Sequence, residues 1–108
     1  MRTIRSTNGV PVRLTDERWQ HIVEGHPALA DRQERVLETV ADPDLLKLGG
    51  RGELLAIRRY GDMPRRWRYL VVAYRELSPT DGFIITAYLA ATPLPWRRTL
   101  WFRPLSRS

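Results

Sequence analysis

The chain contains no cysteine, so it can form neither a disulfide nor a thiolate metal site. Its first residues, MRTIRSTNG, lack the apolar stretch of a signal peptide, and no apolar run approaches the roughly 20 residues that span a bilayer. These absences predict a cytoplasmic protein with no membrane partner. Walker, GxGxxG, GxSxG and HExxH motifs are also missing, which excludes the familiar signatures of nucleotide binding, serine esterases and zinc peptidases.

Lysine is almost absent as well, although the chain is strongly basic. Eighteen basic residues against twelve acidic ones give a formal net charge of +6, and Lys47 is the one lysine among them. Arginine presents a planar fork of donors that matches a phosphate group and stacks on bases. The charge excess therefore predicts a polyanionic partner, with RNA (tRNA, mRNA or ribosome-associated) as the first candidate.

Histidine is scarce too, and both copies, His21 and His26, lie in the segment RWQHIVEGHP. Their spacing of five differs from the i, i+4 spacing of a helical metal pair, so we predict no metal site and no cofactor. Histidine titrates near neutral pH, which makes either residue a candidate for acid–base catalysis. The alternative is that His26 caps or packs against its helix and His21 is an ordinary surface residue.

Apolar spacing divides the chain into a helical first half and a β-rich second half. Apolar residues recur at helical spacing after the potential N-cap Thr15, and again between Leu29 and Ala41. Beyond Pro43 the period changes from 3.6 to 2, which is typical of strands. We predict one domain over residues 1–108, of the α+β class, with N-terminal helices packed on one face of a four-stranded antiparallel β-meander. The predicted strands are Leu45–Leu48, Glu53–Tyr60, Arg68–Arg75 and Phe83–Leu89.

Strict alternation along the last predicted strand assigns its side chains to two faces. The odd-numbered residues of Phe83–Leu89 form the predicted buried set, with Ile85 and Ala87 facing the helices. Thr86 and Tyr88 then lie on the opposite, open face.

Arginines on the neighbouring strands complete a candidate site. Arg58 and Tyr60 share one face of the second predicted strand, and Arg75 ends the third. We assign Arg58 and Arg75 to phosphate contacts, and Thr86 and Tyr88 to orienting hydrogen bonds. The alternative is a solvated outer face made of ordinary polar residues.

Arginine also alternates with aromatic residues in the loop RRWR at 65–68 and in the tail Trp96–Arg103. Such surfaces neutralise phosphates and stack on unpaired bases, so these segments predict RNA contacts. For Trp101 and Phe102 we expect instead that they anchor the tail on the core, with arginine as a soluble rim. The predicted RNA contacts are Arg75, Tyr88, Tyr60, Arg65, Arg66, Arg68, Arg97 and Arg98.

The segments RLTDERWQHIVEGHPAL, GELLAIRRY, YLVVAYREL and DGFIITAY resemble a family of small prokaryotic proteins, common in cyanobacteria. That family is grouped with the phage-type Barnase–EndoU–Colicin–RelE-like (BECR fold) nucleases. The likeness covers roughly residues 12–100 and is most specific in W-x-H-I-x-x-x-H-P. The resemblance implies helices on a four-stranded antiparallel sheet and metal-independent cleavage of RNA, often as the toxin of a toxin–antitoxin pair. It also implies a catalytic histidine at His21 or His26, a basic residue at Arg58 and a hydroxyl at Thr86.

These observations predict a metal-independent endoribonuclease, in which the 2′-OH of the RNA attacks the adjacent phosphorus. A histidine supplies acid–base catalysis and arginine stabilises the charge of the phosphorane. An antitoxin is the expected protein partner. Two alternatives remain open: a non-catalytic RNA- or ribosome-binding module, and a protein-interaction domain whose aromatic tail docks a partner.

Overall fold

The computed structural model describes residues 1–104, which form two α-helices and one seven-stranded sheet. The helices are α1 (Asp16–Gly25) and α2 (Gln33–Ala41), and 3₁₀ turns cover Pro27–Leu29 and Arg65–Trp67. Neither helix in this part of the chain is both long and apolar enough to cross a bilayer. The strands are β1 (Arg2–Arg5), β2 (Pro11–Leu14), β3 (Leu45–Leu48), β4 (Leu54–Arg59), β5 (Tyr69–Ser78), β6 (Asp81–Ala90) and β7 (Thr99–Phe102).

The predicted fold class is wrong, because the sheet has seven strands in place of four and is mixed rather than antiparallel. Its order is β1-β2-β6-β5-β4-β3-β7. β2 runs parallel to β6, with Val12 beside Gly82, whereas the other pairs in residues 1–104 are antiparallel. The three additional strands, β1, β2 and β7, have four residues each. A four-residue stretch shows little alternation, so the apolar β3 is predicted whereas the mostly exposed β1 and β7 and the proline-containing β2 are not.

Local chemistry defines both ends of α1. Thr15 Oγ1 accepts a hydrogen bond from the Arg18 backbone N–H at 3.1 Å, which makes Thr15 the N-cap. At the other end the His26 N–H donates to the Ile22 carbonyl at 2.8 Å, and Pro27 stops the helix. His26 is therefore held at the tip of a helix.

The second helix is shorter than predicted. Residues Pro27–Leu29 form a 3₁₀ turn, and α2 begins only at Gln33. Leu29 is fully buried in this turn. The predicted helix includes the turn because Leu29 packs in the same core as the apolar residues of α2 and therefore continues their spacing in the sequence.

Apolar side chains cover both faces of the sheet, but the helices cover only one. We call the side that packs on α1 and α2 the helix face, and the opposite side the second face. The helix-face core includes Val12, Leu14, Ile22, Leu29, Val36, Leu37, Val40, Leu46, Ala56, Leu70, Val72, Tyr74, Ile84 and Ala87. The second face has a smaller core of Leu55, Ile57, Val71, Ala73 and Leu94.

A β-bulge in β6 changes which residues face the helices. The register against β5 shifts between Ala73 and Tyr74, which leaves Ile85 as an extra residue. Ile84 consequently joins Ala87 in the helix-face core, whereas Ile85 packs against the second-face core. The prediction that Ile85 faces the helices is wrong, because strict alternation holds only while the pairing is unbroken.

β7 separates the two aromatic residues of the tail. Trp101 pairs with Leu46 and packs against the helix-face core, whereas Phe102 is 65% exposed. Tail anchoring therefore applies to Trp101 and not to Phe102.

The chain between β6 and β7 folds back over the second face. Leu94 is buried there and has a left-handed φ of 56°. Its carbonyl accepts hydrogen bonds from Lys47 Nζ at 2.9 Å and from the Arg97 N–H at 3.0 Å. The Leu48 N–H donates to the Arg98 carbonyl at 2.9 Å. Residues 94–98 are thus bound to β3 and form one wall of a cavity.

Candidate functional site

A cavity of about 260 Å³ opens on the second face, between the β3–β4 turn and residues 94–98. We call it the Tyr88 groove. Its polar and aromatic lining comes from Glu53, Thr86, Tyr88, Trp96 and Arg97. Gly49, Gly50, Leu55, Ala73 and Leu94 complete the lining.

The Glu53 carboxylate and the Arg97 guanidinium both line the groove. In the described part of the chain they do not form a salt bridge with each other. The Arg51 backbone N–H donates to Glu53 Oε1 at 2.9 Å. This hydrogen bond holds the pKa of Glu53 below its ordinary value, against the effect of burial, and the charges of Arg75 and Arg97 act in the same direction. The groove therefore contains an ionised carboxylate and a guanidinium that is free to meet an anion.

Two glycines make room for these charged side chains. A Cβ on Gly49 would overlap the Glu53 carboxylate, and a Cβ on Gly50 would lie 3.2 Å from Arg97 Nη1. The Gly49–Gly52 turn between β3 and β4 thus lets both side chains fold into the groove.

Tyr88 joins the groove to the tip of α1. Burial raises the pKa of its hydroxyl, and Glu53 adds to this effect while Arg97 opposes it, so Tyr88 is a neutral hydrogen-bond donor at pH 7. Its ring centroid lies 6.2 Å from that of the exposed His26. His26 also lines a cavity of about 210 Å³ with Trp67 and Leu89. The structure thus places Thr86, Tyr88 and Arg97 in the groove, and His26 beside the Tyr88 ring in a cavity with a separate lining.

His21 lies apart from this constellation. Its side chain is 60% exposed, and Nε2 is 3.9 Å from the Glu17 carboxylate one helical turn away. It lines a polar hollow with Thr15, Glu17 and Arg18. Neither histidine lines the Tyr88 groove, but the His26 ring lies near that of Tyr88. The geometry therefore favours His26 over His21 as the histidine that could act with Tyr88.

Arg58 and Tyr60 lie on the helix face, across the sheet from Thr86. Arg58 Nη1 is 2.9 Å from an Asp42 carboxylate oxygen, and its Nε is 3.6 Å from Glu38. The Tyr60 hydroxyl donates to Glu38 at 2.7 Å, and burial raises the pKa of Tyr60 to about 12. The two residues belong to an ion-pair network and not to the groove.

Two groups of arginines in residues 1–104 differ in their partners. Around α2 and the turn after it, guanidiniums are paired with carboxylates: Arg2 with Glu34, Arg35 with Asp62, Arg58 with Glu38 and Asp42, and Arg103 with Asp42 and Asp44. The described part of the chain gives no carboxylate partner to Arg51, Arg75, Arg97 or Arg98 at or next to the groove, to Arg65, Arg66 or Arg68 in the β4–β5 loop, or to Arg5, Arg18 and Arg59 elsewhere. The arginines of the groove are therefore among those that no carboxylate neutralises.

The loop arginines and Arg75 are held by neutral groups. The Arg66 guanidinium lies 4.8 Å above the Trp67 ring, and Arg68 Nε donates to the Met63 carbonyl at 2.9 Å. Arg75 donates to the Arg51 carbonyl at 2.7 Å and lines a hollow of about 390 Å³. That hollow is larger than the Tyr88 groove, but its one carboxylate, on Glu76, is hydrogen-bonded to Ser6 and Asn8. It offers fewer free groups for chemistry.

Sequence reasoning missed Glu53 of the groove, and it placed Trp96 in a segment predicted to contact RNA without giving that residue a role of its own. Glu53 follows directly after the glycine-rich turn, and such a turn is where backbone and side chains can approach closely. Trp96 is 69% exposed beside Arg97 and Arg98. Its place at the start of an arginine-aromatic run was the available signal.

Within residues 1–104, no group of three His, Asp or Glu side chains is arranged as metal ligands would be. In comparisons with protein-family models, curated proteins and solved structures, nothing matches this chain.

Proposed function

We propose that this protein is a metal-independent endoribonuclease that binds RNA across the Tyr88 groove. The observation that carries the proposal is the division of the arginines into two groups. Guanidiniums near α2 are neutralised by carboxylates, whereas those around the groove have no such partner among the described residues. Unneutralised arginines around a groove are suited to the phosphates of a nucleic acid.

Aromatic groups along the same surface support RNA with unpaired bases as the ligand. Trp96 is 69% exposed and lines the groove, and Trp67 lines the separate His26 cavity. Tyr88 lines the groove, with its ring near His26. Bases stack on such platforms while arginines hold the backbone.

The groups at the groove are suited to transesterification. The ionised Glu53 carboxylate takes the proton of the 2′-OH, whose oxygen attacks the adjacent phosphorus. The protonated His26 donates a proton to the 5′-oxygen as the P–O bond to it breaks. Arg97 stabilises the phosphorane oxygens, and Thr86 and Tyr88 orient them by hydrogen bonds. We assign the phosphate role to Arg97 rather than to Arg58 because two carboxylates hold Arg58.

A cleavage assay in the presence of EDTA tests the proposal. We expect a single-stranded RNA to be cleaved at discrete positions and to leave a 2′,3′-cyclic phosphate or the 3′-phosphate derived from it. The attacking oxygen belongs to the substrate, so chelation should not change the rate. Activity that EDTA abolishes and Mg²⁺ restores would contradict the proposal.

A non-catalytic RNA- or ribosome-binding module is the second candidate. It is favoured by the exposure of Trp96, since a stacking platform needs no acid–base group. This candidate predicts RNA binding by the wild-type protein without cleavage, and binding that is unchanged when His26 is replaced.

The nuclease family, the toxin–antitoxin setting and the cytoplasmic location stay predictions. In that setting an antitoxin would inhibit the protein by covering the unneutralised arginines around the groove. RNA cleavage by the purified protein, together with growth arrest when the protein is expressed alone, would support this biological role.

A further inference from the structure

Lys47 is the one lysine of the chain, and its side chain is buried in the sheet. It lies in β3 with 5% of its surface exposed, and no carboxylate of residues 1–104 forms a salt bridge with it. Lysine is among the residues least often buried, because its ammonium loses hydration. Nζ donates to the Leu94 carbonyl at 2.9 Å. Stability alone does not explain why this ammonium is buried against a single backbone carbonyl.

The carbonyl that Lys47 holds belongs to a strained residue. Leu94 has a φ of 56°, a left-handed conformation that non-glycine residues rarely adopt and that costs free energy. Two residues later Trp96 reaches the Tyr88 groove, and Arg97 follows with its guanidinium beside Gly50. The conformation of Leu94 therefore determines where Trp96 and Arg97 lie.

We propose that Lys47 is a positioning residue that fixes Trp96 and Arg97 in the groove through the Leu94 carbonyl. This inference rests on the proposed RNA-binding function of the groove. A charged donor makes a stronger hydrogen bond than a neutral one and keeps the strained turn in place. Lys47 itself does not contact the RNA.

The test compares Lys47→Met with the matched control Arg5→Met. Each variant loses one positive charge and one hydrogen bond to a backbone carbonyl, since Arg5 Nη1 donates to the Gly9 carbonyl at 2.8 Å beside β1. We expect K47M to bind a fluorescein-labelled single-stranded RNA at least about tenfold more weakly, the factor that corresponds to one charge-assisted hydrogen bond. R5M should bind within about twofold of wild type. Equal affinities for the two variants would overturn the proposal.

A double-mutant cycle distinguishes positioning from a general effect on folding. If Lys47 acts through Trp96 and Arg97, the loss caused by K47M disappears when both residues are already alanine. A loss of the same size in the W96A/R97A background would contradict the proposal. Urea unfolding of each variant checks that the differences in affinity do not follow stability.

Chemical rescue covers the case in which K47M fails to fold. The chain has no cysteine, so K47C carries a unique thiol that can be alkylated under denaturing conditions before refolding. Its sulfur displaces bromide from 2-bromoethylamine to give a lysine analogue, or from 1-bromopropane to give an apolar isostere. We expect the aminoethyl protein to recover RNA affinity and the propyl protein not to. Recovery with both reagents would overturn the role of the ammonium.

A spectroscopic readout makes failure of the inference distinguishable from failure of the proposed function. The chain has four tryptophans, so labelling with 5-fluorotryptophan gives four ¹⁹F resonances, and W96F identifies that of Trp96. K47M should shift or broaden the Trp96 resonance in the absence of RNA, while R5M should not. If the Trp96 resonance is unchanged in K47M, the inference is wrong even if the protein cleaves RNA. If K47M shifts this resonance but the wild-type protein does not bind RNA, only the proposed function is contradicted.

Discussion

The two groups of arginines in this molecule show how one residue type serves two purposes. Near α2, Arg58 and Arg103 share Asp42, and this pairing holds the pKa of Asp42 below its ordinary value, mainly through the hydrogen bond from Arg58. At the groove, Arg97 faces Glu53 without pairing with it. Pairing makes the first group part of the fold. The absence of pairing leaves the second group able to bind an anionic ligand.

The histidines allow the sharpest test of this difference, because only His26 lies beside the groove. Replacing His26 by alanine should lower the single-turnover cleavage rate about 10²–10⁴-fold and leave RNA affinity nearly unchanged. His21→Ala is the matched control and should keep the wild-type rate. Full activity in both variants would exclude a histidine mechanism.

Salt should weaken RNA binding steeply if the unpaired arginines carry it. Raising monovalent salt from 50 to 200 mM should lower the affinity for single-stranded RNA at least about tenfold, provided that three or more phosphates are neutralised. Fluorescence anisotropy at several salt concentrations measures the slope. A flat profile would favour the protein-interaction alternative.

Replacing Arg97 or Arg58 by alanine compares the two regions directly, because each substitution removes one guanidinium. R97A should weaken RNA binding several-fold and reduce the magnitude of the salt slope by about 0.7, the value for one phosphate of a single strand. R58A should leave binding unchanged and lower the free energy of unfolding by about 1 kcal/mol, because Asp42 and Glu38 lose a partner. A larger loss of affinity in R58A than in R97A would reverse the assignment.

Acid should weaken the ion-pair network by a small amount. The pKa of Asp42 is lower in the folded chain than in the unfolded one, so its stabilising effect is complete above the unfolded value of about 3.9 and disappears as pH falls through the folded value. Because Asp42 is more than half exposed, solvent screening limits this effect to about 1 kcal/mol. Urea unfolding should show D42N less stable than wild type at pH 7, with a smaller difference at pH 3. An equal difference at both pH values would contradict this account.

Sequence reasoning placed several groove residues correctly on their strands and misplaced others. Thr86 and Tyr88 lie together on the second face, as alternation from the C-terminal half of β6 indicates. Ile85 does not follow that alternation because the bulge inserts a residue that pairing alone determines. The strand pattern and the resemblance assign Arg58 to phosphate, and they do not reveal its carboxylate partners because Glu38 and Asp42 lie in an earlier helix and turn.

The sequence by itself determined the N-cap of α1 at Thr15, the presence of four strands in residues 45–90, and an arginine-rich charge excess. Each of these depends on neighbouring residues or on composition, which a sequence displays directly. The tertiary structure alone decided that β2 lies parallel to β6, and that Arg103 is neutralised by Asp44 while Arg97 is not. Strand pairing and ion pairing join residues that are distant in the chain, so no local pattern records them.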